Sequence, residues 1–288
     1  MQCVVSNSFR TVMARSVVCR VAVPALCAGW SSAALADESS ADKVTGMDSS
    51  AALSATGNAS KWKISIGPGL MISPRYPGSR ALSVLPLPSL DIAYDDRIFS
   101  QGLDVLGVNW LKSNTYHVGT SISFDFQSRN ESDDPRLHGL GNVRAGPKLK
   151  LFADYSYSFL TGSVAAFQDI AGTGQGLLVS ADLAANLPVT SRWLVSIGPG
   201  ATWANSVYTR TLFGVSAQQS AASGLSAYQT SSGLRDVHLN GYTSYDFSAH
   251  WTGSVACTVG KLQRYAGGSP ITQQRTELNV FTALNYKF

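Results

Sequence analysis

The chain has 288 residues, 44% hydrophobic but only 14% charged, well below the roughly 25% charge of average soluble domains. No stretch approaches the ~20 consecutive apolar residues a transmembrane helix requires. A formal charge of +4 with 26 glycines, 11 tyrosines and 11 phenylalanines suits a wall of alternating apolar and polar residues better than a soluble enzyme.

Taken in chain order, the first segment is a targeting signal. Arg10, Arg15 and Arg20 precede a short apolar core, Val21 to Trp30, and Ala34-Leu35-Ala36 forms a small-x-small cleavage site before Asp37. Residues 1–36 are therefore expected to be removed as a signal peptide. Their loss takes three of the 22 basic residues against 18 acidic ones, leaving a charge of about +1. The basic pI thus gives no argument for nucleic acid, and no nucleic-acid partner is expected. Cys3, Cys19 and Cys27 leave as well, so Cys257 remains alone and no intrachain disulfide is possible. Residues 37–60 contain no aromatic side chain and are mostly Ser, Ala, Gly and Asp, a composition that predicts a flexible periplasmic tail.

From Lys61 to Phe288 the grammar is uniform and has period two, which reads as one domain. Ile64, Ile66, Pro68, Leu70 and Ile72 alternate with small or polar residues, the mark of a strand with one apolar face. This run carries Ser65-Ile66-Gly67-Pro68-Gly69, and the same five residues return as Ser196 to Gly200, each copy preceded by a tryptophan, Trp62 or Trp193. Proline cannot donate to a ladder, so Gly-Pro here predicts a β-bulge that bends the wall. In "LPLPSL" Pro86 and Pro88 lie two apart, so both missing donors face one neighbour. That edge reads either as part of a curved wall or as a weak seam that loosens for a solute or partner.

Eleven segments are visible, at 62–73, 82–94, 97–111, 115–126, 142–156, 158–168, 177–187, 192–204, 233–247, 249–261 and 275–288. Bacterial single-chain barrels have an even strand number, with short periplasmic turns and long outer loops. Working back from Phe288, that register holds only if 97–111 makes two passes, breaking near Leu103-Asp104. The prediction is an all-β transmembrane antiparallel barrel of twelve strands at 61–288, with ten as the alternative. The last run, Leu278, Val280, Thr282, Leu284, Tyr286 and Phe288, is similar to the C-terminal signal of outer-membrane barrels, and outer-membrane lipid is the expected surround.

The polar phase of these strands carries Lys63, Asp125, Arg144, Lys148, Lys150, Asp154, Asp182, His238, Asp246 and Glu277. These are the candidate lumen-lining residues, either pairing to fill the barrel or bordering a narrow passage. The loop 127–141 groups Glu131, Asp133, Asp134 and His138 with Arg129 and Arg136. Interleaved arginines compete for oxygens a divalent cation would need, so a salt-bridged loop is expected. In loop 205–232, Ser216 and Gln219 have capping-box spacing and Gly224 suits the C′ position of a short helix over 217–223. No Gly-x-Ser-x-Gly turn, paired-His metal spacing or phosphate-binding loop is present. Neither catalysis nor a cofactor nor a metal site is expected.

Several phrases together resemble the MipA/OmpV family of outer-membrane proteins, whose name records interaction with the murein hydrolase MltA. They are "SPRYPGS" (Ser73 to Ser79), "LPLPSL" (Leu85 to Leu90), "DDRIFSQG" (Asp95 to Gly102), "DDPRLHGLG" (Asp133 to Gly141), "SIGPGATWAN", "FGVSAQQSAASGL" (Phe213 to Leu225) and "GLRDVHL" (Gly233 to Leu239). The resemblance implies a non-enzymatic scaffold linking a murein hydrolase and a murein synthase. It implies, as the alternative, a narrow channel for small solutes or drugs.

Overall fold

A computed structural model describes residues 61–288; the expected signal peptide and tail lie outside the described residues. Twelve antiparallel strands close into one barrel in chain order, the last pairing with the first. They are β1 (Trp62–Pro74), β2 (Leu82–Tyr94), β3 (Ile98–Gln101), β4 (Asp104–Lys112), β5 (Tyr116–Asp125), β6 (Gly146–Tyr157), β7 (Leu160–Asp169), β8 (Leu177–Thr190), β9 (Trp193–Ala204), β10 (Gly233–Asp246), β11 (Trp251–Leu262) and β12 (Thr276–Lys287). The segment 97–111 does make two passes, turning at Gly102-Leu103. Twelve strands is the outcome, and ten is set aside.

Alternation becomes two faces. Along β6, Lys148 and Phe152 are buried while Leu149, Leu151 and Tyr155 are exposed. Along β9, Ser196 and Thr202 are buried while Ile197 and Trp203 are exposed. The exposed residues form an apolar belt, as a barrel facing hydrocarbon requires, and closure leaves its ladders satisfied all round except where described below. Among the described residues no helix is long and apolar enough to cross a membrane.

Short turns crowd one end of the barrel. Asp95 and Asp96 both have φ of 52°, and Arg97 N–H donates to the Tyr94 carbonyl at 3.0 Å. The connection is three residues, Asp95 to Arg97, between the paired Tyr94 and Ile98, and aspartate tolerates the left-handed region it requires. The same end collects exposed aromatic residues, Trp62, Trp110, Tyr155, Tyr157, Phe159, Trp193, Phe247, Trp251 and Phe288. Amphipathic rings of this kind settle at headgroup level, so this rim marks one membrane interface.

The repeated Gly-Pro phrase behaves alike in both copies, and it is not a bulge. β1 pairs with β12 through Ile66↔Tyr286 and resumes at Gly69↔Ala283, with no pairing at Gly67 and Pro68. β9 pairs with β8 through Asp182↔Gly200 and resumes at Ala185↔Ile197, skipping Gly198 and Pro199. Across neither gap does the register shift, so no extra residue is inserted there, and the expected bulge is corrected to an interrupted rung. A Cβ on Gly67 would fall inside the Leu284 carbonyl, and one on Gly198 inside the Leu183 carbonyl. The proline removes a donor, and its glycine lets the neighbouring backbone close the gap.

Candidate functional site in the lumen

The enclosed face holds charges in pairs. Lys148 Nζ lies 2.5 Å from Asp125 Oδ2, Lys150 Nζ 2.8 Å from Asp104 Oδ2, and Lys287 Nζ 2.8 Å from Asp246 Oδ1. His117 joins Asp154 at 3.2 Å and Asn109 Oδ1 at 2.6 Å. A longer chain of contacts crosses from β8 to β12. Asp182 meets His238 Nε2 at 2.8 Å and His238 Nδ1 meets Asp236 at 2.7 Å. Arg235 then bridges Asp236 at 3.2 Å and Glu277 at 3.4 Å, while Gly78 N–H donates to Glu277 Oε1 at 2.7 Å.

Nine of the ten expected lining residues sit in strands with a hydrogen-bonding or ion-pairing partner among charged side chains and histidines. The outermost of them, Lys63, is half exposed at the short-turn end, bonded to Asp96 at 2.9 Å. Arg144 differs: it precedes β6 and is exposed, because the segment expected to begin at 142 starts as a strand only at Gly146. The sequence reading missed Arg235, Asp236, Asp104 and Lys287. Arg235 and Asp236 are neighbours, so only the register shift between Leu234 and Asp236 lets both side chains be buried. The adjacent charges in "GLRDVHL" were the available signal for that irregularity. Lys287 shares the phase of Glu277 and was legible from parity alone.

The long-loop end is closed by its own loops. Helix α1 (Ser206–Phe213) starts at Asn205, whose side chain accepts from Tyr208 N–H. Its buried face, Tyr208, Leu212 and Phe213, packs with Val143, Leu178, Ala204, Leu262 and Ala266. Helix α2 (Ala217–Ser223) has the expected capping box between Ser216 and Gln219, with Gly224 left-handed at φ 75°. A third short helix, α3 (Arg264–Gly267), completes the set. Arg129 is 2% exposed and donates to the carbonyls of Leu212 at 3.0 Å and Leu140 at 3.4 Å. Burial lowers its guanidinium to about 10, still protonated at neutral pH. Tyr208 Oη donates to Gln127 at 2.6 Å, with Lys148 Nζ and Arg235 Cζ 5.4 and 5.6 Å from its ring centroid.

The acids of loop 126–145 are spent on its own backbone. Glu131 accepts from Gly139 and Gly141 N–H at 3.1 and 2.8 Å, and Asp133 from Asn130 N–H at 2.7 Å. Asp134 accepts from Arg136 N–H at 3.0 Å and from Gln273 Nε2. Among the described residues no cluster could hold a metal ion. The bonded Arg136 N–H holds the Asp134 carboxyl below its ordinary 3.8. A lowered carboxylate stabilises the fold above the unfolded value and ceases to as pH falls through the folded one. Asp134 is therefore expected to tie its loop to Gln273 at neutral pH and to release it in acid. An NMR titration of its carboxyl carbon should give a midpoint below 3.8, and a higher midpoint would contradict this.

Comparison places this geometry among known proteins. The family model described as MltA-interacting protein MipA matches residues 66–288. No curated protein matches the chain. Similar solved structures include the NanC porin, at 8% identity over 79% of this chain and 99% of that one, TM-score 0.36. The outer membrane protein OprD from Pseudomonas aeruginosa is 11% identical over 77% of this chain and 65% of that one, TM-score 0.35. The outer membrane channel DcaP of Acinetobacter baumannii is 9% identical over 81% and 99%, TM-score 0.33. Likenesses this small carry no functional argument. The closed wall and its apolar belt are those of an outer-membrane barrel.

Proposed function

Because this chain belongs to the MipA family, matched across 66–288, we propose that it is a non-enzymatic scaffold of the outer membrane that holds a murein hydrolase beside a murein synthase. The family match carries the reading. The lumen supports it: the strand charges neutralise one another, and loops with buried apolar cores close over one end. An interior filled in this way suits a platform better than an open conduit.

The contact surface on this reading is the short-turn rim, since murein lies on the periplasmic side. The rim carries a cluster in which Lys63 and Lys112 lie 2.9 and 3.6 Å from Asp96. Partial burial of Asp96 opposes ionisation, but the two lysines overcome it and hold the carboxyl low. The turn therefore stays charged at neutral pH.

The test is affinity capture of the full chain from detergent extracts, beside conductance in planar bilayers. Co-purification of a murein hydrolase with a synthase, and no conductance, is expected. Solute flux without either enzyme would reverse the assignment in favour of the channel.

A further inference from the structure

β2 is 13 residues long and pairs with β1 at every one of them. On its other side only Asp91 to Tyr94 find partners, because β3 is four residues long and its hairpin with β4 turns at Gly102-Leu103. Among the described residues, Leu82 to Leu90 therefore have no ladder partner on the β3 side. An open sheet edge does not persist against hydrocarbon unless something relieves its polar groups.

The two prolines act on this edge. Asp95 N–H donates to Lys61 O and Arg75 N–H to Ala81 O, so the odd positions flanking β2 face β1. The β1–β2 register runs unbroken between them. By alternation Leu82, Val84, Pro86, Pro88 and Leu90 turn their backbone groups to the open side. Pro86 and Pro88 thus remove the donors from the middle of the free edge. An edge whose central donors are missing resists continuous strand addition by another chain, so the gap is kept from closing by pairing.

What lies behind the gap is apolar on one side. A cavity of about 260 Å³ has an apolar side of Met71, Phe126, Phe281 and Leu103, the last at the hairpin tip beside the gap, and a polar side of Ser73, Gln127, Thr258 and Asn279 with Asp125 and Glu277. Both acids are already held, Asp125 by Lys148 and Glu277 by Arg235 and Gly78 N–H. On β2 the enclosed positions beside the gap are Ser83, Leu85, Leu87 and Ser89, while Val84, Pro86 and Pro88 are exposed on the other face. Leu85 is the cross-strand partner of the cavity-lining Met71, so the middle of the gap borders the cavity's apolar side.

We propose that the gap between β2 and the β3–β4 hairpin is a lateral opening, through which a single-chain apolar molecule moves between the surrounding bilayer and this cavity. The occupant is a hydrocarbon tail rather than a peptide strand, since the middle of the edge lacks donors at Pro86 and Pro88, and rather than an ion, since the cavity's charges are internally neutralised. This site stands apart from the rim assigned to murein enzymes.

The test uses the full chain in liposomes with dansyl-labelled undecanoic acid, following dansyl fluorescence for uptake. Saturable binding is expected. Leu87→Trp, which adds bulk at the gap, should slow uptake by roughly tenfold. Leu103→Ala, which only removes atoms from the hairpin tip, should speed it, and Val255→Trp on the exposed face of β11 should leave it unchanged. Absence of saturable binding by the wild-type chain overturns the proposal. So does an uptake rate indifferent to both Leu87→Trp and Leu103→Ala in barrels that retain their folded mobility on unheated gels.

Discussion

Alanine at Gly67 is expected to destabilise the folded barrel by about 1–3 kcal/mol, and alanine at Gly198 by a similar amount. Each new methyl group would overlap a backbone carbonyl, Leu284 for the first and Leu183 for the second. A carbonyl in a ladder has no rotamer with which to step aside, so the strand itself must move. Urea denaturation in detergent micelles, followed by tryptophan fluorescence, should place both midpoints below wild type. The two sites lie in different ladders, so the double variant should fall further by nearly the sum. Gly241→Ala is the control: its added carbon would meet only the Cys257 carbonyl at 3.9 Å, and no shift is expected. Wild-type midpoints for both Gly67→Ala and Gly198→Ala would show that the close approach is not a feature of the folded protein.

Arg235→Met should cost more, about 3–5 kcal/mol, because it strands a buried carboxylate. Glu277 is 6% exposed, and its charge partner is the guanidinium 3.4 Å away. Asp236 suffers less, since His238 remains 2.7 Å from it. The same substitution removes the cation beside the Tyr208 ring and so loosens α1 where it meets the wall. Adding Glu277→Gln removes the stranded charge while keeping an acceptor for Gly78 N–H. The double variant is expected to be more stable than Arg235→Met alone, as measured by the temperature at which the folded band disappears on unheated gels. If the single variant matches wild type, the Asp236–Arg235–Glu277 bridge contributes nothing to the closed end.

Strand positions were legible because hydrocarbon outside and side chains inside enforce a strict period of two. The doublet in 97–111 was recoverable from the parity of turns, although β3 is too short to show its own alternation. The helix at Ala217–Ser223 could be read from its caps, which act within the segment itself. Helix α1 could not: Ser206 to Phe213 carries β-branched and aromatic residues and is held by packing against Leu178 and Leu262, contacts remote in sequence. Parity put Asp125, Lys148, Lys150, Asp154 and Asp182 on the polar phase. It could not say which cation meets which anion, because that depends on the stagger between strands. Lys150 finds Asp104 rather than a residue of its own hairpin. Arg235 was hidden by the irregularity beside it, since a single misplaced residue inverts every later parity until it is counted.

The barrel closes where β1 meets β12, so the joint brings together the two ends of the described chain, and no local event can form it. Contacts between residues so distant in sequence form slowly. At this joint Pro68 leaves a rung unmade. During insertion the cylinder should therefore zip from β2 towards β12 and seal here last.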